Sequence, residues 1–221
     1  MSDLHHFYHV YSKGAWHLPL SEHIAALRHS DLINNLKTFQ VGIVGPSDTR
    51  QAVQDYLNSE KINYSICAEA EDGWEQETQD KLFEFAQNND GYVLYAHTKA
   101  AVNTQPLHIS WRKSMTYHTV IIWKDAISHL DEGFSAVGSH WIEGGNEDVK
   151  TVSGFFGGTF WWTHLKYIKN FSEKPNRESR HGAEGWIGLL KPTVEEMGEQ
   201  FKIYDYVPHH PINQSKHVTS W

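Results

Sequence analysis

The sequence has little of several features that usually identify a class of protein. It holds one cysteine, Cys67, among 221 residues, so it forms no internal disulfide, and we expect this thiol to be a small buried side chain. No apolar run approaches the roughly 20 residues that cross a bilayer. The first residues also lack the basic and then apolar pattern of a secretory signal. We therefore expect a cytoplasmic protein without membrane insertion.

Signature motifs of several enzyme classes are missing as well. There is no G-x-x-x-x-G-K-[ST], no G-x-G-x-x-G after the first strand and no G-x-S-x-G, which disfavours P-loop, dinucleotide and triad-hydrolase sites. Sixteen histidines occur, but without H-E-x-x-H or cysteine pairs, and nothing resembling Asp-x-Asp follows the fourth predicted strand. We predict no metal ligands and no required cofactor; a carboxylate-held divalent ion and a histidine-rich metal hydrolase stay open as alternatives.

Positive charge is scarce, whereas aromatic residues are abundant. The chain has 19 lysines and arginines against 27 aspartates and glutamates, a formal net charge of −8. It therefore lacks the overall field of a non-specific nucleic-acid binder, although a local basic groove is compatible with that charge. Aromatic residues make up 13% of the chain, and their rings offer both core area and flat faces that stack on a sugar or a base.

Strand and helix patterns alternate over the first hundred residues, and this alternation predicts an α/β fold: a mostly parallel sheet flanked by helices. The predicted strands, separated by segments with helical spacing, cover 7–11, 39–44, 62–68 and 92–96. Ligands of such sheets bind outside the carboxyl ends of the strands. The loops expected to line that rim are 12–16, 45–49, 69–74 and 97–103.

The second half of the chain is less regular. We predict a helix over 110–129, strands over 134–142 and 155–160, a helix over 161–171, a short helix over 183–190 and an irregular tail over 208–221. No linker, repeat or low-complexity tract is visible, so we predict a single domain over residues 1–221.

Two segments of this second half carry the strongest signal for a ligand site. Residues 153–162 join three glycines to five aromatic residues, and residues 180–187 place Glu184 near Arg180 and Trp186. Glycine lets a ligand approach the backbone, and a carboxylate in such surroundings is a candidate general base. The same residues also fit a buried aromatic strand followed by a helix that only packs, with Glu184 paired to Arg180.

Basic side chains follow the fourth predicted strand. His97 and Lys99 come directly after it, and Arg112 lies on the next helix. If the three side chains meet at the rim of the sheet, they neutralise a diphosphate. A solvated loop with incidental charge is the alternative.

Several short motifs occur in a fixed order between about residues 5 and 190. They are Tyr95-Ala96-His97-Thr98-Lys99-Ala100, Trp111-Arg112 with Met115, Gly157-Gly158-Thr159-Phe160-Trp161-Trp162, and Arg180 with Ala183-Glu184-Gly185-Trp186-Ile187-Gly188. In this order they resemble a group of small bacterial and phage glycosyltransferase-like proteins, which show H-x-K-G, W-R, G-N-F-W-W and R-x-x-A-E-x-W-I. Two positions depart from that pattern: Ala100 replaces a glycine, and Gly158-Thr159 replaces Gly-Asn.

The resemblance implies a GT-A-like, Rossmann-like fold, with a nucleotide-binding half over about 1–105 and an acceptor or sugar half over about 106–221. Glu184 would deprotonate the acceptor hydroxyl in an inverting transfer. The donor-binding residues that the resemblance implies are Tyr11, Gly14, Trp16, His97, Lys99, Arg112, Gly157, Phe160, Trp161 and Trp162. The acceptor-binding residues are Arg180 and Trp186.

The sequence thus predicts a glycosyltransferase that uses a nucleotide-sugar, for example a UDP-sugar. Its acceptor is either a surface polysaccharide or a hydroxymethylated base in phage DNA. A DNA acceptor requires a basic face, and the candidate run is Lys166, Lys169, Lys174, Arg177 and Arg180. The alternative is a non-catalytic carbohydrate- or nucleotide-binding module of the same fold.

Overall fold

The computed structural model describes residues 2–144 and 153–198. Its strands are β1 (Leu4–Tyr11), β2 (Leu36–Val44), β3 (Ser65–Ala70), β4 (Tyr92–His97), β5 (Ala136–Gly138), β6 (Trp141–Glu143), β7 (Gly154–Phe156), β8 (Trp161–His164) and β9 (Val194–Glu196). Seven of them form one sheet in the order β3-β2-β1-β4-β8-β5-β9, and β6 pairs with β7 separately.

The helices flank this sheet. They are α1 (His17–His29), α2 (Leu32–Asn35), α3 (Ser47–Ser59), α4 (Gln76–Ala86), α5 (Pro106–Thr116), α6 (Trp123–Asp131), α7 (Leu165–Lys169) and α8 (Gly182–Gly185). A π-helical turn over Tyr117–Ile121 joins α5 to α6, and a 3-10 turn over Trp186–Gly188 follows α8. Within the two described ranges, no helix has the length and apolar character needed to cross a bilayer.

Strand directions confirm the predicted fold class, a mostly parallel α/β sheet flanked by helices. β1 pairs in parallel with both β2 and β4, and β2 pairs in parallel with β3. Only β8 runs antiparallel to its two neighbours, β4 and β5. Because successive side chains of a strand point to opposite faces, Phe7 and Tyr8 enter two different apolar cores, one on each face of the sheet.

The prediction of a helix over 161–171 is wrong at its beginning. Trp161 and Trp162 belong to β8, and a short helix begins only at Leu165. Both indoles have 0% exposure, and they lie in opposite cores. A strand between two others buries both of its faces, so it shows a continuous apolar run rather than an alternating one. The predicted tail over 208–221 lies outside the described residues.

The order of the strands reverses between β1 and β4. From β1 the chain moves outward to β2 and β3, and then returns to the other side of β1 for β4. The ends of these two strands are joined by hydrogen bonds from Tyr11 N–H to the Thr98 hydroxyl at 2.8 Å and from Thr98 N–H to the His9 carbonyl at 2.9 Å. Such a switch point is where open α/β sheets bind their ligands.

Candidate active site

A pocket of about 440 Å³ lies at this switch point, within the size range of small-molecule sites. Its walls come from the ends of β1 and β4, the residues that precede α4, the first turn of α5 and the segment around α8. The lining residues are His9, Tyr11, Trp74, Glu75, His97, Thr98, Lys99, Ala100, Ala101, Val102, Asn103, His108, Arg180, His181 and Glu184.

A second pocket, of about 500 Å³, lies at the opposite end of the sheet, beside the first residues of β2 and β3. Two of the three cations that line it are paired with carboxylates, since Arg28 binds Glu60 and Lys37 binds Asp3, and among the described residues no carboxylate lines the pocket itself. The pocket at the switch point, in contrast, combines cations with carboxylates that face the same space. It is therefore the candidate active site.

Helix α4 positions the segment that carries Glu184. The side-chain amide of Gln76 donates to the carbonyls of Asn176 at 3.0 Å and Ser179 at 2.7 Å. The amide of Gln79 donates to the carbonyl of Ala183 at 3.1 Å. Both glutamines are buried, where an amide hydrogen bond holds its partner firmly. Glu184 is thereby fixed on the wall that faces the end of β4.

Lys99 supplies a half-buried positive charge of the pocket. Its ammonium nitrogen lies 4.0 Å from the centre of the Trp111 ring, a cation–π contact. Burial lowers the pKa of the Lys99 ammonium, and the carboxylates of Glu184 and Glu75 oppose that shift. Arg180 adds a second cation at the exposed edge of the pocket.

Glu75 is a second carboxyl of the pocket that the sequence did not single out. It immediately precedes α4, and its side chain is 18% exposed. One carboxyl oxygen lies 3.5 Å from Nδ1 of His97, and the other accepts from the Tyr95 hydroxyl at 3.5 Å. Burial, followed by the charge of Glu184, raises the pKa of the Glu75 carboxyl to about 8. The only sequence signal for it was its position next to the predicted rim loop 69–74.

Five of the predicted site residues do meet in this pocket: Tyr11, His97, Lys99, Arg180 and Glu184. Gly14 and Trp16 lie behind it, where the loop they belong to packs on the pocket loop through a hydrogen bond from Ala15 N–H to the Ala101 carbonyl at 2.7 Å.

The expectation that Arg112 meets His97 and Lys99 at the rim is corrected by the structure, because Arg112 does not line the pocket. It is 4% exposed, and its guanidinium donates to the Glu22 carboxylate at 2.7 Å and to the backbone carbonyl of Lys99 at 3.0 Å. Its charge is thus matched by Glu22. The contact with Lys99 gives it a different role, since it fixes the backbone of the loop that carries the pocket ammonium.

The aromatic residues of the later motifs also lie elsewhere than expected. Gly157 is buried outside the pocket lining, and the rings of Phe160, Trp161, Trp162 and Trp186 are at most 1% exposed. The Trp162 indole donates to the Thr119 carbonyl at 2.6 Å, and the Trp186 indole to the Glu173 carbonyl at 3.3 Å. These rings build the core beneath the pocket and are not surfaces for sugar stacking.

The two positions at which the sequence differs from the motifs it resembles have unusual backbone angles. Ala100 has φ of 66°, and Thr159 has φ of 59°. Residues with a Cβ atom rarely adopt this left-handed region, which glycine and asparagine tolerate best. The glycine and asparagine of the related motifs would therefore fit these two positions without strain.

Two of the five cations of the predicted basic run are paired with carboxylates. Lys174 binds Glu84 at 2.8 Å, and Arg177 binds both Glu77 and Asp80 at 2.6 Å. A face built from this run would therefore present less positive charge to DNA than the sequence suggests.

Several histidine side chains are buried in the core, whereas His97, His108 and His181 line the pocket. Within residues 2–144 and 153–198, no group of three or more histidine, cysteine or acidic side chains is arranged to hold a metal ion. His6 and His23 form a buried pair at 2.7 Å, and His9 bonds to the Thr78 hydroxyl at 2.8 Å. Cys67 is half-buried rather than fully buried, and burial raises the pKa of its thiol to about 12.

No protein-family model matches the chain, and no curated protein sequence matches it significantly. Among solved structures, it is similar to 4-diphosphocytidyl-2C-methyl-D-erythritol synthase from Anaerococcus prevotii, at 12% identity and a TM-score of 0.45 over 88% of each chain. It is similar to HddC from Yersinia pseudotuberculosis at 8% identity and a TM-score of 0.45 over 89% of each chain.

Proposed function

We propose that this chain is a glycosyltransferase, which binds a nucleotide-sugar in the pocket at the switch point and transfers the sugar to an acceptor hydroxyl. One observation carries the proposal: Lys99, Arg180 and Glu184 line the same pocket at the carboxyl ends of β1 and β4. Two cations suit a diphosphate, and a carboxylate suits a base. The ordered motifs that contain these residues, and that resemble those of GT-A-like bacterial and phage glycosyltransferases, also support it.

Lys99 and Arg180 are the groups that would receive the diphosphate. An ammonium and a guanidinium both bind phosphate oxygens by charge-assisted hydrogen bonds. Because the Lys99 ammonium is already positioned against Trp111, little reorganisation is needed when charge develops on the leaving group. Tyr11, on the adjacent strand end, lines the same pocket and would contact the nucleoside.

Glu184 would act as the general base. In the transfer, the acceptor oxygen forms a bond to the anomeric carbon while the bond from that carbon to the diphosphate breaks. The bonding electron pair leaves with the diphosphate, beside Lys99 and Arg180, and the proton of the acceptor hydroxyl passes to the Glu184 carboxylate. A single base that activates an in-line nucleophile corresponds to inversion at the anomeric carbon. A glycan hydroxyl and a hydroxymethylated base both provide such an acceptor.

The second candidate is a nucleotide- or carbohydrate-binding module without turnover. It is favoured by the burial of Phe160, Trp161 and Trp162, which leaves fewer rings than expected to hold a sugar. Such a module would bind the nucleotide in the same pocket but would release no nucleoside diphosphate on incubation.

The first test is a thermal-shift screen against UDP, GDP, CDP and their sugars, with and without a divalent ion. A ligand at about one hundred times its dissociation constant adds about 2.7 kcal/mol to the free energy of unfolding. We expect stabilisation by one nucleotide class, and loss of that stabilisation in Lys99→Met. If no nucleotide stabilises the chain, the proposal is wrong.

A further inference from the structure

The hydrogen bonds of His97 determine where its proton resides. Nε2 of His97 lies 2.9 Å from the carbonyl oxygen of Gly158. A carbonyl can only accept, so Nε2 is the nitrogen that carries hydrogen. In a neutral imidazole the other nitrogen is then an acceptor. Nδ1 of His97 therefore presents a lone pair to the pocket side.

That lone pair faces Glu75. Nδ1 lies 3.5 Å from a carboxyl oxygen of Glu75, and an ionised carboxylate is also purely an acceptor. Two acceptors in this position repel each other unless a proton lies between them. Either His97 becomes an imidazolium, or Glu75 is a neutral acid that donates to it.

The surroundings of His97 oppose the imidazolium. Its side chain is 13% exposed, and burial together with the nearby Lys99 ammonium holds the pKa of His97 well below its usual range. The proton therefore belongs to Glu75. On the other carboxyl oxygen, the Tyr95 hydroxyl acts as donor, which is compatible with either state of the acid.

The net charge of the pocket depends on whether Glu75 is protonated. Glu184 and Lys99 act on it directly, and Arg180 acts on Lys99. While Glu75 is neutral, two cations face the single carboxylate of Glu184, so the pocket is net positive. When Glu75 ionises, the charges cancel and a second anion faces any bound phosphate.

We propose that Glu75 is a second functional carboxyl of the pocket: as a neutral acid that faces His97 it admits an anionic ligand, and as a carboxylate it excludes one. The identity of that ligand, a nucleoside diphosphate linked to a sugar, rests on the proposed function. The protonation of Glu75 in the unliganded chain does not.

The protonation is tested first, without any ligand. Infrared spectra of the full chain should show a neutral carboxylic acid near pH 7, with a titration midpoint at about 8. The band should be absent from Glu75→Gln and present in Glu71→Gln, a matched variant at an exposed position of the same loop. A wild-type spectrum identical to that of Glu75→Gln at pH 7 overturns the proposal.

The ligand effect is tested with UDP-glucose and GDP-mannose, measured by calorimetry at about pH 7 and pH 9. We expect the affinity of the wild-type chain to fall about tenfold, as one proton is lost across its midpoint, and that of Glu75→Gln to change little. A fall of equal size in Glu75→Gln assigns the effect to Lys99 and overturns the proposal. Absence of binding at both pH values, with the acid band present, overturns the proposed function while supporting the protonated Glu75.

Discussion

The Lys99 ammonium nitrogen lies 4.0 Å from the centre of the Trp111 ring. The next residue of α5, Arg112, donates to the carbonyl of Lys99 at 3.0 Å. Two consecutive residues of one helix thus hold Lys99. The Trp111 ring contacts the side chain of the lysine, and the Arg112 guanidinium binds its backbone carbonyl. The W-R motif therefore orients the pocket cation, and it does so from a position that a phosphate does not reach.

Replacing Lys99 by methionine should weaken nucleotide-sugar binding, because the half-buried ammonium is lost while the aliphatic stem is kept. Removing a charge-assisted hydrogen bond costs about 1.5–3 kcal/mol, so we expect a loss of at least about tenfold in affinity by calorimetry. Lys166→Met, at an exposed site on α7, is the matched control and should bind like the wild-type chain. Equal affinities in the two variants would remove Lys99 from the site.

Ala100→Gly should stabilise the chain, because φ of 66° at this position is strained for alanine. The left-handed region costs about 1–2 kcal/mol for a residue with a Cβ atom, and the greater freedom of an unfolded glycine offsets part of it. We expect a net gain of about 0.5–1 kcal/mol in urea unfolding. Ala101→Gly, next to it and without positive φ, should instead be destabilising. A loss of stability in Ala100→Gly would contradict this backbone conformation.

The stability of Glu75→Gln relative to wild type should depend on pH. The pKa of Glu75 is raised in the folded chain to about 8, so its favourable contribution is complete below the unfolded pKa and is lost as pH rises through 8. Between the unfolded pKa and about pH 8, the free energy of unfolding of the variant should therefore rise relative to that of the wild-type chain, by up to about 1.4 kcal/mol for each pH unit. Glu71→Gln, measured by urea unfolding in the same buffers, should show no such trend.

Buried histidines should make the chain sensitive to acid. Burial lowers the pKa of His6 and of His9 to about 3, and that of His23 well below its usual range. The unfolded chain binds protons below about pH 6.5 and the folded chain does not. The free energy of unfolding should therefore be highest above about pH 6.5 and fall toward pH 4, by up to about 1.4 kcal/mol per pH unit for each histidine. Urea midpoints that are unchanged between pH 7 and pH 5 would contradict the neutral core histidines.

The first half of the fold could be predicted because its strands and helices follow clear periodicities. The second half could not, since Trp161-Trp162 is a short apolar run, and such a run fits a buried strand as well as a helix. The structure distinguishes the two by placing β8 between β4 and β5, a long-range pairing that leaves no local signal.

The site could be predicted where it depends on strand ends. His97 and Lys99 follow from the rule that ligands bind beyond the carboxyl ends of parallel strands, whereas Tyr11 comes only from the resemblance of the motifs. Glu75 could not be found in this way, because it is one of several carboxylates in the acidic stretch 69–80. Its contacts with His97 and Tyr95 distinguish it, and these arise only from tertiary packing.

The most direct test of sugar transfer is the release of nucleoside diphosphate by Glu184→Gln, using the nucleotide-sugar that stabilises the wild-type chain. The variant should bind this donor with unchanged affinity, because the amide keeps the shape of the side chain, but turn it over at least about 100-fold more slowly, as expected when a general base is lost. Turnover at the wild-type rate would contradict the role of Glu184. Binding without turnover in the wild-type chain, with glycan and hydroxymethylated DNA both supplied as acceptors, would contradict sugar transfer and favour the binding module.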